Sequence, residues 1–187
     1  MKRSLTPEPL VFPTPVWVVG TYDREGKANV MTAAWGGICC SKPPCVAVAL
    51  RKATYTYSAL VQRKAFTISV PTEQYLKQVD YIGIATGAAV DKFSETGLTA
   101  VRSELVDAPY VGEFPFILEC NVVAIHELGL HTQFVGEILG IQAEEAVCNE
   151  RGPDISKIRP LIFDPRNWSY FSIGPEVGKA FESGNEI

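Results

Sequence analysis

The sequence predicts a mainly β protein, an antiparallel barrel accompanied by a few short helices. Many short segments rich in β-branched and aromatic residues are separated by turn residues at short intervals, which is typical of antiparallel sheets. The strand and helix alternation of a parallel dinucleotide-binding fold is missing, and no Gly-x-Gly-x-x-Gly run follows a predicted strand. A chain of 187 residues, of which 47% are hydrophobic, is long enough for one domain with a substantial core.

The first half of the chain alternates predicted strands with two helices. Thr54 and Thr72 are expected to begin the helices, because threonine accepts hydrogen bonds at helix N-termini and apolar residues at helical spacing follow each of them. The expected elements are a hairpin of strands 15–23 and 27–36, a strand 45–51 after the Pro43-Pro44 turn, a helix 54–63, a strand 66–70, and a helix from Thr72 that ends around Gly83 or Gly87.

The second half is dominated by two long strand patterns, residues 116–128 and 132–143, which a tight turn joins into a hairpin. We expect one domain over residues 1–187, in which residues 1–12 are an N-terminal extension and residues 175–187 a loose polar tail. The other elements expected in this half are a short helical turn 91–97 closed by glycine, an irregular strand 99–107, a single turn 154–158, and strands 161–164 and 168–173.

Charge and cysteine usage argue against several classes of protein. The formal net charge is −4 and no basic stripe is present, which argues against nucleic acid as a partner. The longest apolar runs are far too short to span a membrane, and the first residues have no apolar stretch of signal-peptide length, so we expect a cytoplasmic protein. Five cysteines, an odd number, and only two histidines indicate reduced thiols rather than a disulfide framework, and no metal site.

Residues 29–55 contain the groups that a flat, phosphorylated aromatic cofactor would need. Asn29 and Thr32 can donate and accept hydrogen bonds, Trp35 has a planar face, and the two glycines after it let a ligand approach the backbone. A phosphate is well matched by an arginine fork, a lysine charge and the start of a helix. The candidate phosphate ligands are Arg51, Lys52, Thr54 and the neighbouring Tyr55. On residue chemistry alone the simpler interpretation is favoured, namely a hairpin, a glycine-rich bend and a solvated Arg-Lys pair.

The order of the motifs changes that balance, because the chain as a whole resembles the flavin reductase-like family. Members of that family are FMN-binding split β-barrels of Greek-key type, and they include the flavoredoxins. The resemblance extends from about Pro13 to Tyr170. It rests on the first hairpin with Asn29, the Thr32-Ala-Ala-Trp35 segment, the Pro-Pro turn, the Asp91-Lys92-Phe93 motif, and the run Gly129-Leu-His131-Thr-Gln-Phe-Val-Gly136-Glu137.

FMN is the cofactor that the resemblance implies, and it implies positions for residues of the first hairpin. Asn29, Thr32 and the backbone of Ala33 and Ala34 would meet the edges of the flavin ring. Trp35 would pack against the ring, and packing in the core is an equally weighted alternative for this side chain.

The resemblance also places residues from other parts of the chain near the flavin. Lys92 would supply a cation, although an exposed lysine on a helical turn is the simpler interpretation. His131 would hydrogen-bond to the cofactor or substrate and is the candidate catalytic residue, and Phe163 would contact the cofactor from the C-terminal side. Cys40 stands where the family's common pattern has a serine, so a contact there would involve the backbone. Cys39 or Cys40 as a redox partner of the flavin is a less favoured alternative to a tolerated small residue.

Two forms of flavin function follow from the resemblance. The protein would be an oxidoreductase that takes electrons from NAD(P)H, or an electron-transfer protein of the flavoredoxin type that takes them from a redox protein partner. A homodimer with the flavin at the subunit interface is implied as well. The alternative from a different class is a split-barrel binding module that holds haem or another ligand, or that has no cofactor. The residues able to ligate a haem iron are His126, His131, Met1, Met31 and the cysteines.

Overall fold

The computed structural model describes residues 1–186, which form fourteen strands and four α-helices. The strands are β1 Thr14–Pro15, β2 Trp17–Tyr22, β3 Ala28–Ala33, β4 Gly36–Ser41, β5 Pro44–Arg51, β6 Ala65–Val70, β7 Ala100–Arg102, β8 Pro109–Val111, β9 Phe116–Leu128, β10 His131–Ala143, β11 Cys148–Asn149, β12 Gly152–Pro153, β13 Leu161–Asp164 and β14 Ser169–Ser172. The helices are α1 Tyr55–Arg63, α2 Leu76–Ile84, α3 Lys92–Thr96 and α4 Ile155–Ile158. Short 3-10 segments cover Glu73–Tyr75, Glu145–Val147 and Ser183–Glu186.

Seven of the strands form one antiparallel sheet in the order β3-β2-β6-β9-β10-β5-β4. The sheet curls until β3, at one edge, contacts β5 beside the other edge. The two edge strands, β3 and β4, are consecutive in the chain and are linked by Ala34 and Trp35 alone. The barrel is therefore split between its edge strands, and Trp35 lies at their junction. The predicted mainly β, antiparallel fold with a few short helices is confirmed.

Strand β2 is buried on both faces, and this divides the core in two. Val19 belongs to the cluster inside the barrel, together with Phe66 and Phe134. Val18 belongs to a second cluster on the other face of the sheet, which α2 joins through Ile82 and its neighbours. Because successive side chains of a strand point to opposite faces, one short run of valines contributes to both clusters.

A close backbone approach sets the position of β8 against β2. A Cβ atom at Gly20 would lie 2.0 Å from the carbonyl oxygen of Pro109 and 2.6 Å from the hydroxyl oxygen of Thr67. Thr67 uses that hydroxyl to donate a hydrogen bond of 2.6 Å to the same carbonyl. The contact therefore requires glycine at position 20, since any side chain would displace the carbonyl.

The long hairpin and the first three helices lie where the sequence predicted them. Strands β9 and β10 are joined by Gly129 and Leu130, and Gly129 has a φ of +57°, in the left-handed region that favours glycine. The second predicted helix begins as the 3-10 segment Glu73–Tyr75 and continues as α2 to Ile84. The helical turn after Asp91 is α3, which the Asp91 carboxylate caps by accepting a hydrogen bond from the backbone N–H of Ser94.

Strands β4, β8, β11 and β12 were not predicted, and β1 is separate from the strand that was expected to begin at Pro15. The glycines at positions 36 and 37 indicated a bend, whereas they begin β4, and the second strand of the first hairpin ends at Ala33. The glycine at position 36 serves packing, because a Cβ atom there would lie 2.3 Å from the Trp17 ring and 2.7 Å from the carbonyl oxygen of Ala47. The irregular strand expected over residues 99–107 is reduced to β7, which pairs with β8.

None of the helices in residues 1–186 combines the length and the apolar character needed to span a bilayer. Within the same residues, no three His, Cys, Asp or Glu side chains are grouped as metal ligands.

Candidate functional site

A cleft with a volume of about 410 Å³ opens where the two edges of the sheet meet. One wall comes from the end of β3 and the link through Trp35, a second from the ends of β5 and β10, and a third from α2, β13 and β14. Its volume is within the range of pockets that hold small molecules and cofactors. Eight of the residues proposed from the sequence line this cleft: Thr32, Ala33, Ala34, Trp35, Arg51, Thr54, His131 and Phe163.

Two aromatic rings lie parallel at the mouth of the cleft. The planes of the Trp35 and His131 rings differ by 6°, and their centroids are 6.2 Å apart. The backbone of Trp35 is held by its carbonyl oxygen, which accepts a hydrogen bond of 2.8 Å from the N–H of Ala49 on β5. The Trp35 side chain is 38% exposed. It therefore lies at the surface of the cleft, and the alternative of packing in the core is wrong.

A positive end of the cleft is formed where β5 leads into α1. Arg51 is the register partner of His131 across β5 and β10, so the guanidinium and the imidazole start from neighbouring positions. Thr54 occupies the N-cap position of α1, but its hydroxyl donates a hydrogen bond of 2.9 Å to the carbonyl oxygen of Arg51 and does not cap the helix. The N–H of Tyr57 donates to the Thr54 carbonyl oxygen. The N–H groups of Tyr55 and Thr56 are therefore the ones left for an anion, beside the permanent cation of Arg51.

The base of the cleft is made by small side chains from the end of β3. Thr32 donates a hydrogen bond of 2.6 Å from its hydroxyl to the carbonyl oxygen of Val79, which ties α2 to the sheet. A Cβ atom at Gly83 would lie 3.4 Å from the Thr32 Cβ, so α2 packs closely here. Ala33 and Ala34 add only methyl groups to the lining. A flat ligand can therefore approach the backbone of this segment.

The C-terminal wall is a cluster of aromatic rings. The Phe163 ring centroid is 6.3 Å from that of Trp168 and 5.6 Å from that of Tyr170. The Tyr170 hydroxyl donates a hydrogen bond of 2.9 Å to Oδ1 of Asp80 on α2. Burial, followed by the hydrogen bond and the negative charge of Asp80, raises the pKa of Tyr170 to about 12. The phenol is therefore neutral at physiological pH and links the β14 and α2 parts of the third wall.

Several residues of the lining were not among the flavin contacts expected from the sequence, among them Met31, Asp80, Gly83 and Ile84. Three of these lie on α2, where the periodic signal comes from the face that contacts the core. The opposite face carries no pattern that distinguishes a cleft from open solvent. These residues could be assigned to the cleft only from the packing of α2 against Thr32, which the sequence does not show.

Two of the proposed residues lie outside the cleft lining and hold α1 against the first hairpin. Asn29 is 5% exposed and donates a hydrogen bond of 2.9 Å from Nδ2 to the hydroxyl oxygen of Thr56. The Tyr55 hydroxyl donates a hydrogen bond of 2.8 Å to Oδ2 of Asp23. Both side chains are thus used within the protein in this structure.

Lys52 and Cys40 are also outside the lining. The Lys52 ammonium forms an ion pair of 2.8 Å with Glu127, and both side chains are largely exposed. Cys40 is exposed near the end of β4.

Lys92 is a buried cation, which makes the interpretation as an ordinary exposed lysine wrong. Its side chain is only 6% exposed, and Nζ donates a hydrogen bond of 2.8 Å to the carbonyl oxygen of Ile82, in the last turn of α2. Burial lowers the pKa of Lys92 to about 8. Lys92 does not line the cleft itself. It binds the C-terminal end of α2, and that end of the helix does line the cleft.

A second cleft, of about 460 Å³, lies on the other side of Trp35. It shares Ala34, Trp35 and Ala49 with the first and continues along the first residues of β4. The N-terminal extension borders it through Pro9 and its neighbours, and this segment is anchored by an ion pair between Glu8 and Arg166. Trp35 therefore separates two adjacent clefts.

The sequence is similar to one protein family and to several known proteins. The sequence model of the family described as "Flavin reductase like domain" matches residues 10–171. The solved structure of flavoredoxin from Desulfovibrio vulgaris (Miyazaki F) is 50% identical, with a TM-score of 0.94 over 98% of this chain and 100% of that chain. Flavoredoxin from Methanosarcina acetivorans is 30% identical, with a TM-score of 0.93 over 100% of this chain and 98% of that chain. An uncharacterised protein of Archaeoglobus fulgidus is 38% identical over 130 residues, which cover 70% of this chain and 73% of that protein.

Proposed function

Because this chain belongs to the flavin reductase-like domain family, we propose that it binds FMN in the cleft beside Trp35 and His131 and transfers electrons through it from a reduced donor to an acceptor. The observation that carries the proposal is the pairing of these parallel rings with a site for an anion at Arg51 and the start of α1. A flat aromatic ligand with a phosphate has both of the groups that this lining can bind.

The residues of the lining fit FMN in three ways. Arg51 and the first N–H groups of α1 would bind the phosphate, with Thr54 placed to contact it. Trp35 would pack against the ring system, and the methyl groups of Ala33 and Ala34 would let the ring edge reach backbone N–H and C=O groups. When bound, FMN supplies the redox chemistry itself, because it accepts a hydride or single electrons and passes them on.

His131 would position the cofactor or substrate by a hydrogen bond from its imidazole. It begins β10, so its backbone is held by the pairing with Arg51 on β5 and Leu128 on β9. A side chain on such a support keeps its orientation while a ligand enters. The aromatic rings of β13 and β14 would exclude water from the same space.

The donor is proposed to be NAD(P)H, in a flavin reductase, or a redox protein, in an electron carrier of the flavoredoxin type. The family supports both, and the two forms make different predictions for a spectroscopic experiment. A cytoplasmic location is part of the proposal, because five free cysteines are typical of a reducing compartment.

A homodimer is proposed as well, with the flavin at the subunit interface. The long hairpin exposes several large apolar side chains, and a group of this kind is typical of a surface that binds another protein. These are Val123, Ile125, Leu128, Leu130, Leu139 and Ile141. Ile141, for example, is 58% exposed. Sedimentation velocity at micromolar concentration should give a dimer, and Ile141→Lys should shift it toward the monomer. A monomeric wild-type protein under these conditions would contradict this part of the proposal.

The experiment that tests the function is an anaerobic absorption titration of the purified protein with FMN, with riboflavin as the matched ligand that lacks the phosphate. Tight binding of FMN and weak binding of riboflavin are expected. Bleaching of the bound flavin by NADH or NADPH would identify a reductase, and a bound flavin that neither nucleotide reduces would identify a carrier. A protein that takes up no FMN would refute the proposal and favour a binding module, for which haem is the next ligand to titrate.

A further inference from the structure

Two cysteines face each other near the tip of the hairpin formed by β4 and β5. Cys40 is the register partner of Cys45, and the pair between them and the turn is Ser41 with Pro44. Directly opposed residues of antiparallel strands have Cα atoms about 4.5 or 5.5 Å apart, and their side chains share one face of the sheet. Both distances fall within the range of about 4.4 to 6.8 Å that separates the Cα atoms of disulfide-bonded cysteines.

The two thiols differ in how far solvent can reach them. Cys40 is exposed, whereas Cys45 is only 4% exposed. Burial, with a further contribution from the neighbouring Cys40 thiol, raises the pKa of Cys45. Cys45 is therefore a protonated thiol that does not react first with a reagent from solution, and Cys40 is the sulfur that such a reagent meets.

The other three cysteines are placed differently. Cys39 lies at the irregularity between Ile38 and Cys40 and has no register partner on β5. Cys120 is fully buried inside the barrel, where burial raises its pKa to about 12. Cys148 lies on β11, in a separate two-stranded sheet. Among the register pairs of the described strands, only Cys40 and Cys45 bring two thiols together.

We propose that Cys40 and Cys45 are a redox-active pair, which a low-molecular-weight disulfide of the glutathione type converts reversibly into a disulfide bond. The Cys40 thiolate attacks one sulfur of the small disulfide, so that a mixed disulfide forms and one small thiol leaves. Cys45 then loses its proton and attacks the Cys40 sulfur, and the second small thiol leaves. Two protein thiols are oxidised and one small disulfide is reduced to two thiols. This inference does not depend on the flavin proposal.

The position of the pair gives the bond a structural consequence. Strand β4 is an edge strand, paired only with β5 in the described sheet, and its residues Gly36 to Cys39 border the second cleft. A bond between Cys40 and Cys45 would close the end of the hairpin and hold this edge beside the cleft. We therefore expect the oxidised protein to have a higher Tm than the reduced protein, because the cross-link restricts the unfolded chain.

The test uses the full chain, equilibrated in buffers with graded ratios of reduced to oxidised glutathione, quenched in acid and alkylated after denaturation. In oxidising buffer we expect the wild-type mass to fall by about 2 Da before alkylation, with two fewer alkylated thiols, since a disulfide has two hydrogen atoms fewer. Peptide mapping should join Cys40 to Cys45, and excess reduced glutathione should restore all five thiols. A wild-type protein that remains fully alkylated in oxidising buffer would refute the proposal.

Three variants identify the sulfurs. Cys39→Ser should keep the intramolecular bond, and Cys45→Ser should instead accumulate one glutathione on Cys40. Cys40→Ser should form neither product at this hairpin. Loss of the bond in Cys39→Ser, or a mapped bond that includes Cys39, would overturn the assignment. Since Cys45 is buried, Cys45→Ala is a second variant in case the serine disturbs folding, and the wild-type peptide map tests the pair without any substitution.

Discussion

The hydroxyl of Tyr170 donates a hydrogen bond of 2.9 Å to the carboxylate of Asp80, and this bond joins β14 to α2 within one wall of the candidate cleft. We expect Tyr170→Phe to lower the free energy of unfolding by about 0.5 to 1.5 kcal/mol, the usual net contribution of one hydrogen bond. A double-mutant cycle with Asp80→Ala, which removes the acceptor oxygen, should give a coupling energy of similar size in urea unfolding. Additive effects of the two substitutions would show that the bond does not stabilise the fold.

The same contact predicts a dependence on alkaline pH. The pKa of Tyr170 is raised from the ordinary value of 10.0 to about 12, so the folded protein favours the neutral phenol. The stabilisation is therefore complete below about pH 10 and is lost as the pH rises through about 12. Burial also raises the pKa of Tyr22, and the hydrogen bond to Asp23 raises the pKa of Tyr55. In ultraviolet absorbance of tyrosinate, the step near pH 12 is the one that should be missing in Tyr170→Phe.

Arg51 and Lys52 are adjacent cations, of which only Arg51 lines the cleft. We expect Arg51→Gln to weaken FMN binding by about tenfold or more, which corresponds to about 1.4 kcal/mol for a lost charged contact with phosphate. Lys52→Gln is the matched control, and it should change the dissociation constant by less than about threefold. Riboflavin binding should be unaffected by either substitution. Equal losses in both variants, measured by fluorescence titration, would assign the phosphate to a different place.

Trp35 is proposed to be the wall against which the flavin ring packs. Trp35→Ala should weaken binding of both FMN and riboflavin by about threefold to tenfold, because an aromatic contact contributes about 0.5 to 1.5 kcal/mol. Trp35→Phe should retain most of the affinity. The combined pattern separates the ring contact from the phosphate contact, since Arg51→Gln affects only FMN. Unchanged affinity in Trp35→Ala would exclude a ring contact.

The burial of Lys92 should make the free energy of unfolding rise with pH. Its pKa is lowered from 10.5 to about 8 by burial, so between these values the folded state binds fewer protons than the unfolded state. The free energy of unfolding should therefore increase over this interval by up to about 3 kcal/mol, at 1.36 kcal/mol for each pKa unit. Urea unfolding at several pH values should show that Lys92→Met removes the rise, whereas Lys77→Met, at an exposed position on α2, keeps it. The same rise in Lys92→Met would assign it to another group.

Gly20 and Gly37 are glycines of the same sheet with opposite surroundings. A Cβ atom at position 20 would lie 2.0 Å from a backbone oxygen, whereas at position 37 it would meet nothing within 4 Å. We expect Gly20→Ala to cost at least about 2 kcal/mol in the free energy of unfolding. Gly37→Ala should stay within about 0.5 kcal/mol of the wild type. A Gly20→Ala protein of wild-type stability would mean that β8 can move away from β2.

Elements with local signals could be predicted from the sequence. The α3 turn has an Asp at its N-cap and Gly97 in the left-handed region at its end, and both signals lie within a few residues of the helix. The β9–β10 hairpin has long strand patterns on both sides of Gly129. Strand β4 was not predicted, because its first glycine looks like a bend in the sequence. The glycine at position 36 is needed because the Trp17 ring, from a different part of the chain, packs against it.

The candidate site could be predicted only in part. The residues from Thr32 to Trp35 line the cleft together with Arg51 and Thr54, and all of them belong to the stretch 29–55 that residue chemistry indicated. Asp80 lies outside that stretch, on a helix whose visible pattern describes its buried face. The burial of Lys92 was equally hidden, because one charged residue on a short helical turn has the same sequence signal whether it is exposed or covered.

By itself the sequence determined the class of fold, the long hairpin, the first three helices and the chemical groups available for a flavin, because periodicity, turn residues and residue type are local properties. The tertiary structure alone decided which of those groups share a cleft. Curling of the sheet brings the link between its edge strands beside β5 and β10, so that the rings of Trp35 and His131 lie 6.2 Å apart. Contacts of this kind depend on the register and closure of the whole sheet, to which residues distant in the chain contribute jointly.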